Sequence, residues 1–187
     1  MDFRDGSGWS FIARYTSGDN GATQSIEVID NTGVTRQTLV ERDLYTQYSP
    51  RFEDLDGDGR DEVVIPRDLA ANGNVTYAVY RWATAEFVRA GELNGYGPER
   101  TPSGYIGIAA KDTYIYWQVG FWTFENHRLR EAVHVEIESR PNDTGGGGTS
   151  ICRITDASGL SGSGLTDADI QQRFCAEPIV RWATPFK

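Results

Sequence analysis

The densest run of side chains able to do chemistry is Asp54-Leu-Asp56-Gly-Asp58-Gly-Arg60-Asp-Glu62. Carboxylates at Asp54, Asp56 and Asp58 occupy alternate positions, Gly57 and Gly59 let the backbone curl, and Glu62 follows. A hard cation that takes roughly six to eight oxygen ligands needs this kind of loop, in which side chains at the first, third, fifth and ninth positions converge and a backbone carbonyl enters at the seventh. Here those positions are Asp54, Asp56, Asp58 and Glu62, with the carbonyl of Arg60 at the seventh and its side chain free to face solvent. Three aspartates so close together repel one another without a counterion. The spacing therefore predicts a Ca2+ site with Asp54, Asp56, Asp58, Arg60 and Glu62 as ligands. The competing reading is an acidic surface turn. Affinity in the style of extracellular modules would be weak, roughly micromolar to millimolar.

An EF-hand is disfavoured. It needs a bidentate Glu at the twelfth loop position, which here is Ile65, and helical flanks, whereas Val63-Val-Ile65 is β-branched and Pro66 follows. The stretch Pro50-Arg-Phe-Glu-Asp-Leu-Asp-Gly-Asp-Gly-Arg-Asp-Glu-Val-Val-Ile-Pro66 instead resembles an FG-GAP/VCBS repeat, in which a strand runs into an Asp-x-Asp-x-Asp-Gly loop and out into an apolar strand. Downstream, Tyr80-Arg-Trp82 and Phe87 look like the strand-turn-strand that follows such loops in bacterial single-copy relatives, ending in Gly91-Glu-Leu93. Multi-repeat members form propellers, and this chain has a single loop of the kind. The resemblance implies a secreted or periplasmic Ca2+-binding module. Its single-copy relatives include binding and inhibitor proteins, among them a group that resembles lysozyme inhibitors. It carries over the metal ligands and names no partner.

The remaining constellations are less specific. Tyr114, Tyr116, Trp117, Trp122 and Phe124 crowd a short stretch, where large aromatics either fill a core or, on an exposed face, stack on sugars or anchor a protein. An exposed face there would make Tyr114, Tyr116 and Trp122 ligand-binding residues. Ser103-Gly-Tyr105 lies on a loop that could enter a partner's cleft, as short Ser- and Tyr-bearing loops of lysozyme inhibitors do. His127 and His134 are seven apart, so in one continuous strand they point to opposite faces and form no shared metal site. Glu125, Glu131, Glu136 and Glu138 offer carboxylates without a catalytic pattern, and no nucleophile elbow or phosphate-cradling Gly-Lys-Ser/Thr loop is present. The chain reads as non-enzymatic.

The elements that must position these residues are mostly strands. Runs at Trp9 to Thr16, Ser25 to Ile29 and Val34 to Val40 are parted by turn residues, the signature of a meander. After the acidic loop, Asn74 to Trp82 is apolar on both alternating faces, as expected of a strand covered on two sides, and Ala83 to Glu86 turns it into Phe87 to Leu93. Residues 95 to 104 read as a loop, and strands resume at Tyr105 to Ala109, Thr113 to Gln118, Phe121 to Glu125 and Ala132 to Ser139. Residues 141 to 149 form a flexible Gly-rich loop. Thr166 to Phe174 is the one short C-terminal helix, with Thr166 as N-cap, acidic residues in its first turn and Arg173 near its end. Arg81-Trp-Ala-Thr84 recurs as Arg181-Trp-Ala-Thr184, each after an apolar strand-like run, a faint echo of structural repetition.

Composition sets the frame. With 187 residues, 39% hydrophobic and 12% aromatic side chains and 21 glycines, a single all-β domain is expected, mainly antiparallel, as a propeller-like, sandwich or barrel meander. Cys152 and Cys175 match no metal-binding pair; a disulfide or free buried thiols remain, and the Gly/Ser-rich stretch between them favours the disulfide as a tether for residues 150 to 187. That points to an oxidising compartment, periplasmic or secreted, although the start Met-Asp-Phe-Arg-Asp-Gly has no apolar signal core. Net charge −9 argues against nucleic acid as partner, and no apolar run is long enough for membrane insertion. The expectation is a non-catalytic binding domain for a protein or glycan; the alternatives are an inhibitor of a lysozyme-like cell-wall hydrolase and a carbohydrate-directed enzyme or accessory module.

Overall fold

The computed structural model describes residues 7–19, 21–142 and 148–184. It is built mainly of antiparallel strands, joined in three open sheets, none of which closes into a barrel. The first sheet is β1 (Ser10–Gly18), β2 (Gly21–Ile29) and β3 (Thr35–Leu44). The second is β4 (Arg51–Glu53), β5 (Glu62–Leu69), β6 (Val75–Ala83) and β7 (Glu86–Gly95). The third is β8 (Glu99–Arg100), β9 (Ile106–Lys111), β10 (Tyr116–Glu125), β11 (Arg128–Pro141) and β12 (Gly148–Asp156). Within each sheet, neighbours in space are neighbours in sequence.

Strand alternation explains how the sheets stack. On one side of the second sheet Val63, Ile65, Ala78, Tyr80 and Phe87 pack with Phe11, Ile26, Val28 and Leu39 of the first. On its other side Val64, Val75, Tyr77, Val79 and Leu93 pack with Ile106 and Ile108 of the third. Successive residues of β5 and β6 thus serve opposite layers, as the apolar run from Asn74 to Trp82 predicts. Phe121, Val133, Val135 and Ile137 of the third sheet meet Ile170, Phe174, Ile179 and Val180 of the C-terminal helices. Glu41 of β3 adds a polar tie between the first two sheets: it accepts from the Tyr80 hydroxyl at 2.7 Å and pairs with Arg89 at 2.8 Å and Arg67 at 3.1 Å.

Two segments differ from the sequence reading. The runs read at Thr113 to Gln118 and Phe121 to Glu125 share one strand, β10, which starts at Tyr116 and continues through Gly120, with residues 113 to 115 in the bend before it. A Cβ at Gly120 would run into the Trp122 indole and the Glu131 carboxylate, so this glycine clears room for neighbours instead of breaking a strand. Ile179-Val180, the strand-like run before the second Arg-Trp-Ala-Thr, lies in a second helix, α2 (Pro178–Trp182), after α1 (Asp167–Cys175). The Arg-Trp-Ala-Thr echo therefore spans a strand end in one copy and a helix end in the other, and it marks no structural repeat. Of the Gly-rich loop at 141 to 149, Pro141 ends β11 and Gly148 begins β12, while residues 143–147 lie outside the described ones. Among the described residues no helix is long and apolar enough to cross a membrane.

The helix expected at Thr166 to Phe174 is α1. Thr166 accepts from the Asp169 amide, and the Asp169 side chain accepts from the Thr166 amide, a reciprocal capping box. Cys175 at its end is bonded to Cys152 of β12.

Candidate metal centre

Residues 54 to 61 join β4 to β5, which pair antiparallel with Phe52 opposite Val63 and Glu53 opposite Glu62. Leu55, fully buried, pins the loop to the core between the second and third sheets. With Leu55 turned inward, Asp54 and Asp56 on either side face outward. Asp54 accepts from the amides of Gly57 at 2.6 Å and Gly59 at 3.1 Å, Asp56 from that of Asp58 at 3.2 Å, and Asp58 from that of Arg60 at 2.9 Å. These side-chain-to-backbone bonds curl the loop. Gly57 (φ +80°) and Gly59 (φ +88°) sit in the left-handed region that glycine favours, and a Cβ at Gly57 would strike the Arg100 guanidinium.

The result is a convergence of Asp54, Asp56 and Asp58, each with a carboxylate oxygen within 4.8 Å of the others, a cluster that can hold a metal ion. Glu62 stands apart from these three. It is 1% exposed, its Oε2 accepts from the Leu55 amide at 2.9 Å, and burial pushes its carboxyl up to about 8. Asp56 and Asp58 push it in the same direction, while the Leu55 bond and Arg81 act against them. Arg60 gives its amide to Asp58, and its guanidinium lies 6.0 Å from the centre of the Trp82 ring.

One participant is missing from the sequence reading. Arg81 of β6 places its guanidinium 2.7 Å from Asp56 and 2.8 Å from Asp58, over the Phe124 ring of β10 at 4.4 Å. The repulsion expected among the aspartates is thus met by a cation from within the chain. The only signal in the sequence was an arginine inside an apolar strand. Its partner loop could be found only from the β5–β6 register, in which Val63 faces Tyr80.

The other sequence candidates do not join this cluster. Tyr114 and Tyr116 are exposed, at 67% and 43%. Trp122 and Phe124 pack against the buried cluster between the second and third sheets. Ser103 and Tyr105 belong to a turn that is tied down: the Ser103 amide donates to Glu177 at 3.1 Å, its carbonyl accepts from Arg173, and Tyr105 meets the Phe174 ring at 5.4 Å. His134 pairs with Glu131 at 2.8 Å, while His127 sits with Asn126 in the tight turn between β10 and β11, both at positive φ. Compared with family models, with curated proteins and with solved structures, the chain matches none.

Proposed function

We propose that the protein is a non-catalytic, extracytoplasmic β domain whose β4–β5 loop binds one Ca2+ as a structural ion, and which serves by binding a protein or glycan. The observation that carries the metal reading is the convergence of Asp54, Asp56 and Asp58 around a loop whose backbone is already curled by its own carboxylates. Three carboxylate oxygens form a hard donor set, which suits Ca2+ better than a softer ion; the Arg60 carbonyl, Glu62 and water would complete the shell. A bound ion would compete with Arg81 for Asp56 and Asp58. The disulfide is consistent with an oxidising compartment.

The hydrolase-inhibitor alternative draws on Ser103 to Tyr105, and the attachment of that turn to Glu177, Arg173 and Phe174 leaves it less free to enter a cleft. Calorimetric titration with Ca2+, alongside melting with and without chelator, tests the metal reading. We expect one site and a melting temperature that rises with Ca2+ as mass action requires. An identical melting point in excess Ca2+ and in chelator, with no heat of binding, would overturn it.

A further inference from the structure

A second site lies beside β1, at the edge of the first sheet. Two adjoining recesses, of about 450 Å3 and about 490 Å3, run between β1 and the irregular segment 45–50, and they share Tyr15, Gln47 and Tyr48 in their walls. Of the described residues lining either recess, none is charged, in a chain where 24% of the residues are. Tyr15, Tyr45 and Tyr48 are 39%, 67% and 53% exposed. Three such rings along one groove make an apolar platform with hydroxyls at its edge.

An independent observation comes from β2. Its inward face reads Ala22, Gln24, Ile26, Val28, so a polar amide interrupts an otherwise apolar row. Gln24 is 4% exposed, lines the smaller recess, and its Oε1 has no hydrogen-bond partner. A buried amide oxygen left without a donor destabilises the fold that holds it. Gln24 borders the smaller recess with its oxygen shielded from solvent, so a donor entering the groove would reach it through a turn of the side chain toward the opening.

We propose that this groove binds a neutral oligosaccharide. Sugar rings offer C–H faces that pack on tyrosine rings and hydroxyls that donate to Gln24 and exchange bonds with Gln47 and Ser49, and they need no charge in return. Among the described residues an anionic glycan would find no cation in the walls, and a basic ligand no carboxylate. The proposal rests on the reading of the chain as a binding domain and not on the Ca2+ site, so the two fail separately.

The test is a chemical-shift titration of the intact chain with cello-, chito-, malto- and xylo-oligosaccharides, in Ca2+ and in chelator. Polygalacturonate and an extended Thr-Val peptide serve as the other arms. The expected result is saturable shifts in β1 and residues 45–50 with one neutral sugar, at a dissociation constant on the order of 0.1–1 mM. Tyr45→Ala and Tyr48→Ala should each weaken binding about fivefold to tenfold, while Leu165→Ala, exposed but elsewhere, leaves it unchanged. Gln24→Met should weaken it without lowering the melting temperature, because the unmet amide is removed. Silence with every neutral sugar up to about 10 mM overturns the proposal, since that would put any affinity below about 3 kcal/mol. So does binding indifferent to Tyr48, binding of polygalacturonate alone, or pairing of the peptide with the β1 edge in place of sugar.

Discussion

Arg81 is the residue on which the behaviour of the acidic loop turns. Its guanidinium lies within ion-pair reach of both Asp56 and Asp58, so a metal ion must displace a cation the fold already supplies. Arg81→Met should therefore destabilise the metal-free protein by about 1–3 kcal/mol, by leaving two carboxylates without their partner. In the same variant Ca2+ should bind about tenfold tighter or more, because the internal competitor is gone; calorimetric titration measures it. Asp56→Ala acts in the opposite sense. It should lower the melting temperature in Ca2+ and erase the difference between melts in Ca2+ and in chelator, and a difference that persists would exclude Asp56 from the site. Asp54, Asp56 and Asp58 were legible from their alternation with glycine. Arg81 was not, because only strand pairing brings it across the hairpin.

At the scale of the element, two local devices yield separate tests. The capping box at the start of α1 depends on the Thr166 hydroxyl, so Thr166→Ala should cost about 1 kcal/mol in urea unfolding. In the third sheet, the hydrogen bond to Glu131 outweighs burial and raises His134 above its ordinary 6.5. The proton is then held more tightly in the folded state, and the stabilisation is full below about pH 6.5 and lost as pH rises through the higher folded value. Glu131→Gln should flatten the fall in melting temperature above that point, by less than about 1 kcal/mol because both side chains are partly exposed. A variant with the parent's pH profile would count against the pair. Strand β6 and helix α1 were readable because alternation and capping are local signals. Strand β10 was split at Gly120, whose reason for being glycine is a tertiary contact with Trp122 and Glu131. Helix α2 was missed because Ile179 and Val180 favour extended structure by type, while Pro178 at its start and burial against the third sheet decide otherwise.

For the whole molecule, the sequence carried the class and left the stacking open. Three open meanders packed face to face account for the two-sided apolar strands, yet which layer each side meets follows from the twist and order of the sheets, which composition does not encode. The Cys152–Cys175 bridge closes the last layer across a separation of 23 residues. Replacing both cysteines by serine should lower stability by roughly 3 kcal/mol, chiefly by freeing the unfolded chain. Unfolding in urea that is the same for the bridged and serine forms would show that the tether adds nothing.

Because each sheet is made of consecutive strands, a nascent chain emerging from the ribosome can complete one meander before the next has been synthesised. Pairing across short distances also lowers the entropic barrier that usually slows all-β proteins. Both cysteines of the bridge, Cys152 and Cys175, lie after the first two meanders in the chain, so the crosslink can close only on the last layer, as a latch.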